Sequence, residues 1–177
     1  MADKNQKTDI MVFLDIDGVF SDMDKHLKDT GMVDDAGKIN YDALDHNWWA
    51  SMPEFDGARN FLDDIKSIAP FKFLTGPMLN DGCFSGKAAW MKKFRPDRDK
   101  FAVMDLIICP SKDKHLLAGP TRILIDDRES NCNDWREAGG IAIHHKGDYA
   151  QTMAELKKEL ALLGYRNTVR DIGVPKP

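Results

Sequence analysis

The sequence has few cysteines, and none of them lies close enough to another to form a C-x-x-C pair. Cys83, Cys109 and Cys132 therefore indicate neither a disulfide framework nor a zinc site, and we interpret them as thiols in a reducing compartment. No apolar run approaches the roughly 20 residues that a membrane span requires, and residues 1–9 lack the apolar stretch of a signal peptide. We therefore expect a cytoplasmic protein that does not contact membranes.

The sequence also has fewer positively charged residues than negatively charged ones. The chain has 25 Lys and Arg residues against 29 Asp and Glu residues, which gives a formal net charge of −4. A protein of this charge has no general attraction for nucleic acids or for anionic lipid surfaces. An anionic ligand would therefore need local positive charge or a metal ion, and a polynucleotide partner is disfavoured.

What the sequence does contain is a regular alternation of short apolar runs and amphipathic stretches. Runs of this length that are apolar throughout are typical of strands buried on both faces of a parallel sheet. The predicted strands are residues 10–15, 70–75, 105–109, 122–126 and 140–144. The predicted helices are 56–69, 81–94, 131–138 and 149–163. This order predicts an α/β fold with a mainly parallel sheet between two layers of helices.

One interval breaks the alternation. Residues 20–55 are polar and too long for an ordinary connection between a strand and a helix. We interpret them as a small cap inserted after the first strand, where ligands of open α/β sheets bind. The predicted organisation is a core of residues 8–19 and 56–165, the cap at 20–55, and a loosely ordered tail at 166–177.

Acidic residues follow two of the predicted strands. Asp15 and Asp17 come directly after the first strand, and Asp126 and Asp127 end the fourth. Carboxylates that lie close together disfavour one another's ionisation, and a divalent cation removes this conflict. Hard oxygen ligands of this kind suit Mg²⁺. The pattern indicates a magnesium-dependent phosphate enzyme, although a solvent-exposed acidic turn at Asp15 explains that segment alone equally well.

Further residues fit phosphate chemistry. Thr75 and Gly76 end the second strand and could form an anion cradle, or simply a turn. Lys112 and Lys114 could each neutralise a phosphoryl oxygen, or lie on a solvated helix start. Arg128 could bind a phosphate with its planar guanidinium group. One carboxylate of the Asp15-x-Asp17 pair could attack phosphorus while the other transfers protons, which gives an aspartyl-phosphate intermediate.

Taken together, these residues resemble the haloacid dehalogenase (HAD) superfamily of phosphotransferases, over about residues 10–145. The four motifs of that superfamily correspond here to Asp15-x-Asp17, Thr75, Lys114 and Asp126-Asp127. Within the superfamily the sequence is most similar to the 5′(3′)-deoxyribonucleotidases. The narrower similarity lies in Asp15-Ile16-Asp17-Gly18-Val19, Lys112-Asp113-Lys114, Leu124-Ile125-Asp126-Asp127-Arg128, Cys83 to Trp90 with Lys87, and Trp135 with Gly139-Gly140.

The resemblance implies a role for each residue. Asp15 would be the nucleophile, Asp17 the acid and base, and Thr75 the phosphate ligand. Lys114 would stabilise charge, with Lys112 as the second choice. Mg²⁺ would be bound by Asp15, the Asp17 backbone carbonyl and Asp126, with Asp127 close by. Substrate contacts are expected from Gly18, Gly76, Lys87 and Arg128.

The residues around the entrance are harder to assign from sequence. Phe20, Met23, Trp48 and Trp49 could stack on a base, or the two tryptophans could pack the cap onto the core. His144 and His145 lack a ligand partner in the sequence and are predicted to be surface histidines.

The sequence therefore predicts an enzyme that hydrolyses (deoxy)nucleoside monophosphates with Mg²⁺. The alternatives are a phosphatase for another small phosphate ester or for a nucleic-acid 3′-phosphate end, and a non-catalytic domain that is phosphorylated on Asp15. Members of the family are often dimers, so the resemblance leaves a homodimer open, although the sequence does not fix the oligomeric state.

Overall fold

The structure, a computed structural model, describes residues 9–165. The predicted tail at 166–177 and position 8 of the predicted core lie outside these residues. The strands are Met11–Leu14 (β1), Phe71–Thr75 (β2), Leu106–Ile108 (β3), Arg122–Asp126 (β4) and Ile141–His144 (β5). The α-helices are Met23–Asp29 (α1), His46–Ala50 (α2), Ala58–Ile68 (α3), Asp81–Phe94 (α4), Glu129–Glu137 (α5) and Tyr149–Leu162 (α6). Short 3₁₀ helices cover Tyr41–Ala43, Asp99–Asp105 and Ser111–Leu117.

The five strands form one sheet in the order β3-β2-β1-β4-β5. Every neighbouring pair is parallel, which confirms the predicted α/β class. From β1 the chain adds β2 and β3 on one side of the sheet, and it then adds β4 and β5 on the other side, as in doubly wound folds. The crevice between the carboxyl ends of β1 and β4 is therefore the expected ligand position.

Side chains that alternate along each strand fill two separate cores, one on each face of the sheet. Val12, Leu14 and Phe73 belong to the larger core, which they share with residues of α3, α4 and α6. Phe13, Leu74 and Leu124 face the other way and pack with Trp135 of α5. Burial on both faces explains why most strand residues are apolar, and it confirms the predicted three-layer arrangement.

The interval 20–55 contains two short helices that the sequence did not reveal. Helices of five to seven residues such as α1 and α2 show too few turns for a periodic pattern. Helix α2 packs closely on α4. A Cβ atom built on Gly82 would lie 2.6 Å from the His46 backbone nitrogen, and one built on Gly86 would lie 2.4 Å from Trp49 Cβ. The two glycines thus allow the backbones to approach. That this interval is a separate cap stays a prediction.

None of the described helices is both long enough and apolar enough to cross a bilayer.

Candidate active site

The two acidic strand ends meet at the crevice between β1 and β4. Leu14 is in register with Ile125, and the Asp15 backbone N–H donates to the Ile125 carbonyl at 2.9 Å, so Asp15 and Asp126 lie side by side. Carboxylate oxygens of Asp15, Asp126 and Asp127 all lie within 4.8 Å of one another. The parallel sheet thus brings together acids that are 111 positions apart in the numbering of Asp15 and Asp126.

A buried lysine lies between two of these acids. The Lys114 ammonium nitrogen is 3.0 Å from Asp15 Oδ2 and 2.7 Å from Asp126 Oδ2, and the residue is 1% exposed. Lys112, the other lysine considered, is exposed. The structure therefore brings Lys114 into the site and leaves Lys112 at the surface.

Burial and charge shift the pKa values of this group. Burial raises the pKa of Asp15 to about 7, because burial together with repulsion from Asp126 and Asp17 outweighs the attraction of Lys114 and Lys87. For Lys114 burial lowers the pKa, but Asp15 and Asp126 outweigh it and the net direction is upward. Lys114 therefore stays charged, while Asp15 needs additional positive charge to be fully ionised at neutral pH.

Asp126 is held by a set of hydrogen bonds that the sequence analysis did not identify. Asn131 Nδ2 donates to both Asp126 carboxylate oxygens, at 2.9 and 3.0 Å, and the Arg128 backbone N–H donates to Oδ1 at 2.9 Å. Asn131 is buried on the first turns of α5. The sequence does show that Asn131 follows the strand-end residue Asp126 by five positions. No local pattern, however, shows that the Asn131 side chain points towards Asp126.

The acidic cluster fits a divalent cation. Asp127 Oδ1 is buried without a hydrogen-bond partner among the described residues, and burial followed by repulsion from Asp126 raises the pKa of Asp127 to about 6. A buried carboxylate oxygen without a partner is costly, and a bound cation would satisfy it. Asp15, Asp126 and Asp127 could hold Mg²⁺ through carboxylate oxygens. The predicted ligation by the Asp17 carbonyl stays a prediction.

Glycine is required beside this cluster. Gly18 has a φ of +81°, and a Cβ atom there would lie 2.2 Å from Asp127 Oδ2. A side chain at this position would displace the Asp127 carboxylate, which explains why the acidic turn continues into glycine.

Asp17 occupies the opposite side of Asp15 and is bound by a second buried lysine. Lys87 Nζ lies 2.5 Å from Asp17 Oδ2, 2.8 Å from Thr75 Oγ1 and 2.7 Å from the Gly76 carbonyl. These acceptors use all three ammonium protons, and the ammonium group also lies 5.1 Å from the centre of the Trp49 ring. Lys87 positions Asp17 in this structure, and its predicted contact with the substrate stays a prediction.

Thr75 belongs to the same network. Its side chain is fully buried, and its hydroxyl accepts from Lys87 and faces Asp17 Oδ2 at 3.4 Å. The predicted phosphate contact of Thr75 stays a prediction.

A cavity of about 300 Å³ opens above these groups. Of the residues predicted to bind substrate, Gly18, Gly76 and Arg128 line it, while Ser111, Phe55 and Met78 line it without having been predicted. Ser111 lies against Gly76. A Cβ atom built on Gly76 would lie only 2.5 Å from Ser111 Oγ, which shows how close the two residues are. The full lining consists of Asp15, Asp17, Gly18, Asp22, Met23, Asp24, Phe55, Gly76, Pro77, Met78, Ser111, Asp127 and Arg128.

The structure buries three residues that the sequence allowed at the entrance or at the surface. Phe20 is fully buried and packs on Phe61, Phe73 and Phe94, so it cannot stack on a base. Trp48 is buried, its indole N–H donates to Thr30 Oγ1 at 2.8 Å, and it does not line the cavity. His145 is not a surface residue, because its buried ring stacks with Tyr149. The sequence pattern does not reveal the contacts that bury these three side chains.

The fold and site define a doubly wound α/β protein with a buried carboxylate and lysine centre at its switch point. No protein-family model and no curated protein matches the chain. Among solved structures, it is similar to the HAD domain of effector protein Lem4 from Legionella pneumophila, at 16% sequence identity and a TM-score of 0.46. The match covers 86% of this chain and 94% of that one.

Magnesium is expected to stabilise the protein more at pH 8 than at pH 5. The pKa values of Asp15 and Asp127 are raised to about 7 and about 6, so the folded state keeps protons that the unfolded state has lost. Stability from these groups therefore falls as the pH rises from about 4 to 7, and a cation that binds the ionised acids restores it. At a hundred times its dissociation constant, Mg²⁺ should raise Tm by about 5–10 °C at pH 8.

The measurement is thermal unfolding at both pH values with and without Mg²⁺. In the Asp127→Asn variant we expect a smaller shift at pH 8. Equal shifts at the two pH values, or no shift at either, would contradict the assignment of the cluster to a cation.

Proposed function

We propose that this protein is a Mg²⁺-dependent phosphomonoesterase of the HAD superfamily that hydrolyses (deoxy)nucleoside monophosphates, as the 5′(3′)-deoxyribonucleotidases do. The observation that carries the proposal is the pairing of two carboxylates in one cavity wall. Asp15 is held by Lys114 at 3.0 Å, and Asp17 is held separately by Lys87 at 2.5 Å. Both carboxylates line the cavity.

In the first half of the reaction, an Asp15 carboxylate oxygen attacks phosphorus and the bond from phosphorus to the ester oxygen breaks. Asp17 gives its proton to the leaving oxygen, so the products are the free alcohol and a phosphorylated Asp15. In the second half, Asp17 takes a proton from water as the water oxygen attacks phosphorus. Inorganic phosphate leaves and Asp15 is regenerated.

The surrounding residues support these steps. Lys114 contacts Asp15 and can balance its charge. We assign the binding of phosphoryl oxygens to the Gly76 backbone and the Ser111 hydroxyl, because both residues line the cavity. Arg128 lines the same cavity and is exposed, so it can reach an incoming phosphate. When bound by Asp15, Asp126 and Asp127, Mg²⁺ would supply positive charge for the phosphoryl group.

The proposal is tested by measuring phosphate release from a panel of nucleoside 5′- and 3′-monophosphates, with Mg²⁺ and with excess chelator. We expect Mg²⁺-dependent release from at least one nucleotide. The same panel should include sugar phosphates and a 3′-phosphorylated DNA end. Release from these alone would replace the nucleotidase assignment, and no release from any ester would remove the enzymatic one.

Replacing Asp17 with Asn is expected to lower kcat by roughly 10²–10⁴-fold, because general acid and base catalysis contributes about that much. Inorganic phosphate should still bind as an inhibitor, since Asp15, Lys114 and the metal cluster are untouched. The measurements are steady-state kinetics and phosphate inhibition constants.

The same variant separates hydrolysis from signalling. A short-lived phosphoenzyme in the parent protein that becomes long-lived in Asp17→Asn supports turnover through Asp17. A phosphoenzyme that is already long-lived in the parent would identify a phosphorylated receiver-like domain.

A further inference from the structure

The cavity carries more negative charge than the proposed chemistry uses. In the proposed reaction Asp15 is the nucleophile, Asp17 transfers protons and Asp127 binds the metal. Asp22 and Asp24 also line the cavity and have no part in these steps. Among the described lining residues, Arg128 carries the one positive charge.

Both acids lie at the start of α1, where the Asp22 carboxylate is held by a hydrogen bond and Asp24 is exposed in the first turn. Asp22 is the N-cap residue, and its Oδ1 accepts from the Lys25 backbone N–H at 3.0 Å. Its own backbone N–H donates to the Pro53 carbonyl at 2.9 Å. Met23, between the two acids, is only 8% exposed, so its burial anchors both neighbours at the cavity wall.

The Asp22 carboxylate interacts with the Lys25 ammonium group through charge alone, without an ion-pair contact. In the part of the chain that the structure describes, neither Asp22 nor Asp24 belongs to an ion pair, and Lys25 forms its ion pair with Asp29 instead. The helix start is also not free to attract an anion, because the Asp22 carboxylate already accepts one of its N–H groups.

The cavity lining also contains apolar residues, namely Met23, Phe55, Pro77 and Met78. At about 300 Å³ the cavity is at the small end of the range for ligand sites. It therefore suits a compact organic group that has apolar surface.

We infer that Asp22 and Asp24 determine specificity by excluding phosphate esters whose leaving group carries a second negative charge. Esters with an uncharged or cationic leaving group are the preferred class, so a nucleoside monophosphate fits and a bisphosphate or a polynucleotide end does not. The inference rests on the proposed function. Coulomb repulsion across several ångströms at a protein surface corresponds to about tenfold or more in kcat/KM for the anionic ester.

The experiment compares three aryl esters that differ in charge away from the phosphate: phenyl phosphate, 4-carboxyphenyl phosphate and 4-(aminomethyl)phenyl phosphate. The parent protein is compared with Asp22→Asn/Asp24→Asn, in which Asn keeps the capping group and the side-chain shape. Dividing each kcat/KM by that for phenyl phosphate, and then comparing the two proteins, cancels the intrinsic reactivity of the esters. A nucleoside 5′-monophosphate and its 3′,5′-bisphosphate form a second pair.

We expect the parent to disfavour the anionic member of each pair and the double variant to lose at least about tenfold of that preference. Asp35→Asn, an exposed acid outside the cavity lining, should keep the parental ratios. Equal ratios in the parent and the double variant would overturn the inference and leave the phosphatase proposal standing. Absence of hydrolysis of every ester, uncharged ones included, would overturn the proposed function and the inference with it.

Discussion

Replacing Asp15 with Asn is expected to lower kcat by at least about 10⁴-fold, because removal of a catalytic nucleophile abolishes the covalent route and leaves only binding contributions. The fold should be at least as stable as the parent. Asp15 is buried beside Asp126, and the raised pKa of about 7 shows that its ionised form is disfavoured there. Steady-state phosphate release and thermal unfolding above pH 7 measure the two effects.

The variant also tests where the phosphoryl group is carried. An acid-stable, base-labile phosphoenzyme should form in the parent and be absent in Asp15→Asn. Retained turnover in this variant would show that another group attacks phosphorus. A large loss of stability would show instead that Asp15 has a mainly structural role.

Replacing Lys114 with Met is expected to destabilise the protein by about 3–5 kcal/mol, because it leaves buried carboxylates without their cation. Lys114 contacts both Asp15 and Asp126 and is 1% exposed. Phosphate release should fall to background, since no other ammonium group contacts Asp15 in the described residues. Urea unfolding at pH 7 and steady-state kinetics are the measurements.

Lys112→Met provides the matched control, because Lys112 lies on the same 3₁₀ helix and is exposed. Surface changes of this type alter stability by no more than about 0.5 kcal/mol, and we expect near-parental activity. If Lys112→Met were the more damaging substitution, the assignment of charge balance to Lys114 would be wrong. Combining Lys114→Met with Asp15→Asn should be less destabilising than the sum, since one repelling charge is then absent.

The positions of the strands could be predicted because their causes are local. β1 and β4 lie where unbroken apolar runs predicted them, and each run is followed by acids. A strand covered on both faces must be apolar along its whole length, so its sequence reports its environment. The meeting of Asp15 and Asp126 followed from the same reasoning, because carboxyl ends of parallel strands share one edge of the sheet.

The side chains whose partners are distant in sequence could not be predicted in this way. Lys87 reaches Asp17 from α4 across 70 positions, and nothing near Lys87 indicates that its protons are all used by the protein. Phe20 is adjacent to the site in sequence but turns into the core against Phe61 and Phe94. Aromatic residues suit a base or a core equally well, and the deciding contacts are made by elements far along the chain.

The sequence by itself determined the α/β alternation, the acidic strand ends and the kind of chemistry that they indicate. Tertiary structure decided which lysine balances Asp15, which groups hold Asp17, and which residues line the cavity. The physical reason is that periodicity and strand-end placement are recorded within a few consecutive residues. Charge balance and burial depend on neighbours that only folding brings within a few ångströms, as it does for Lys114 between Asp15 and Asp126.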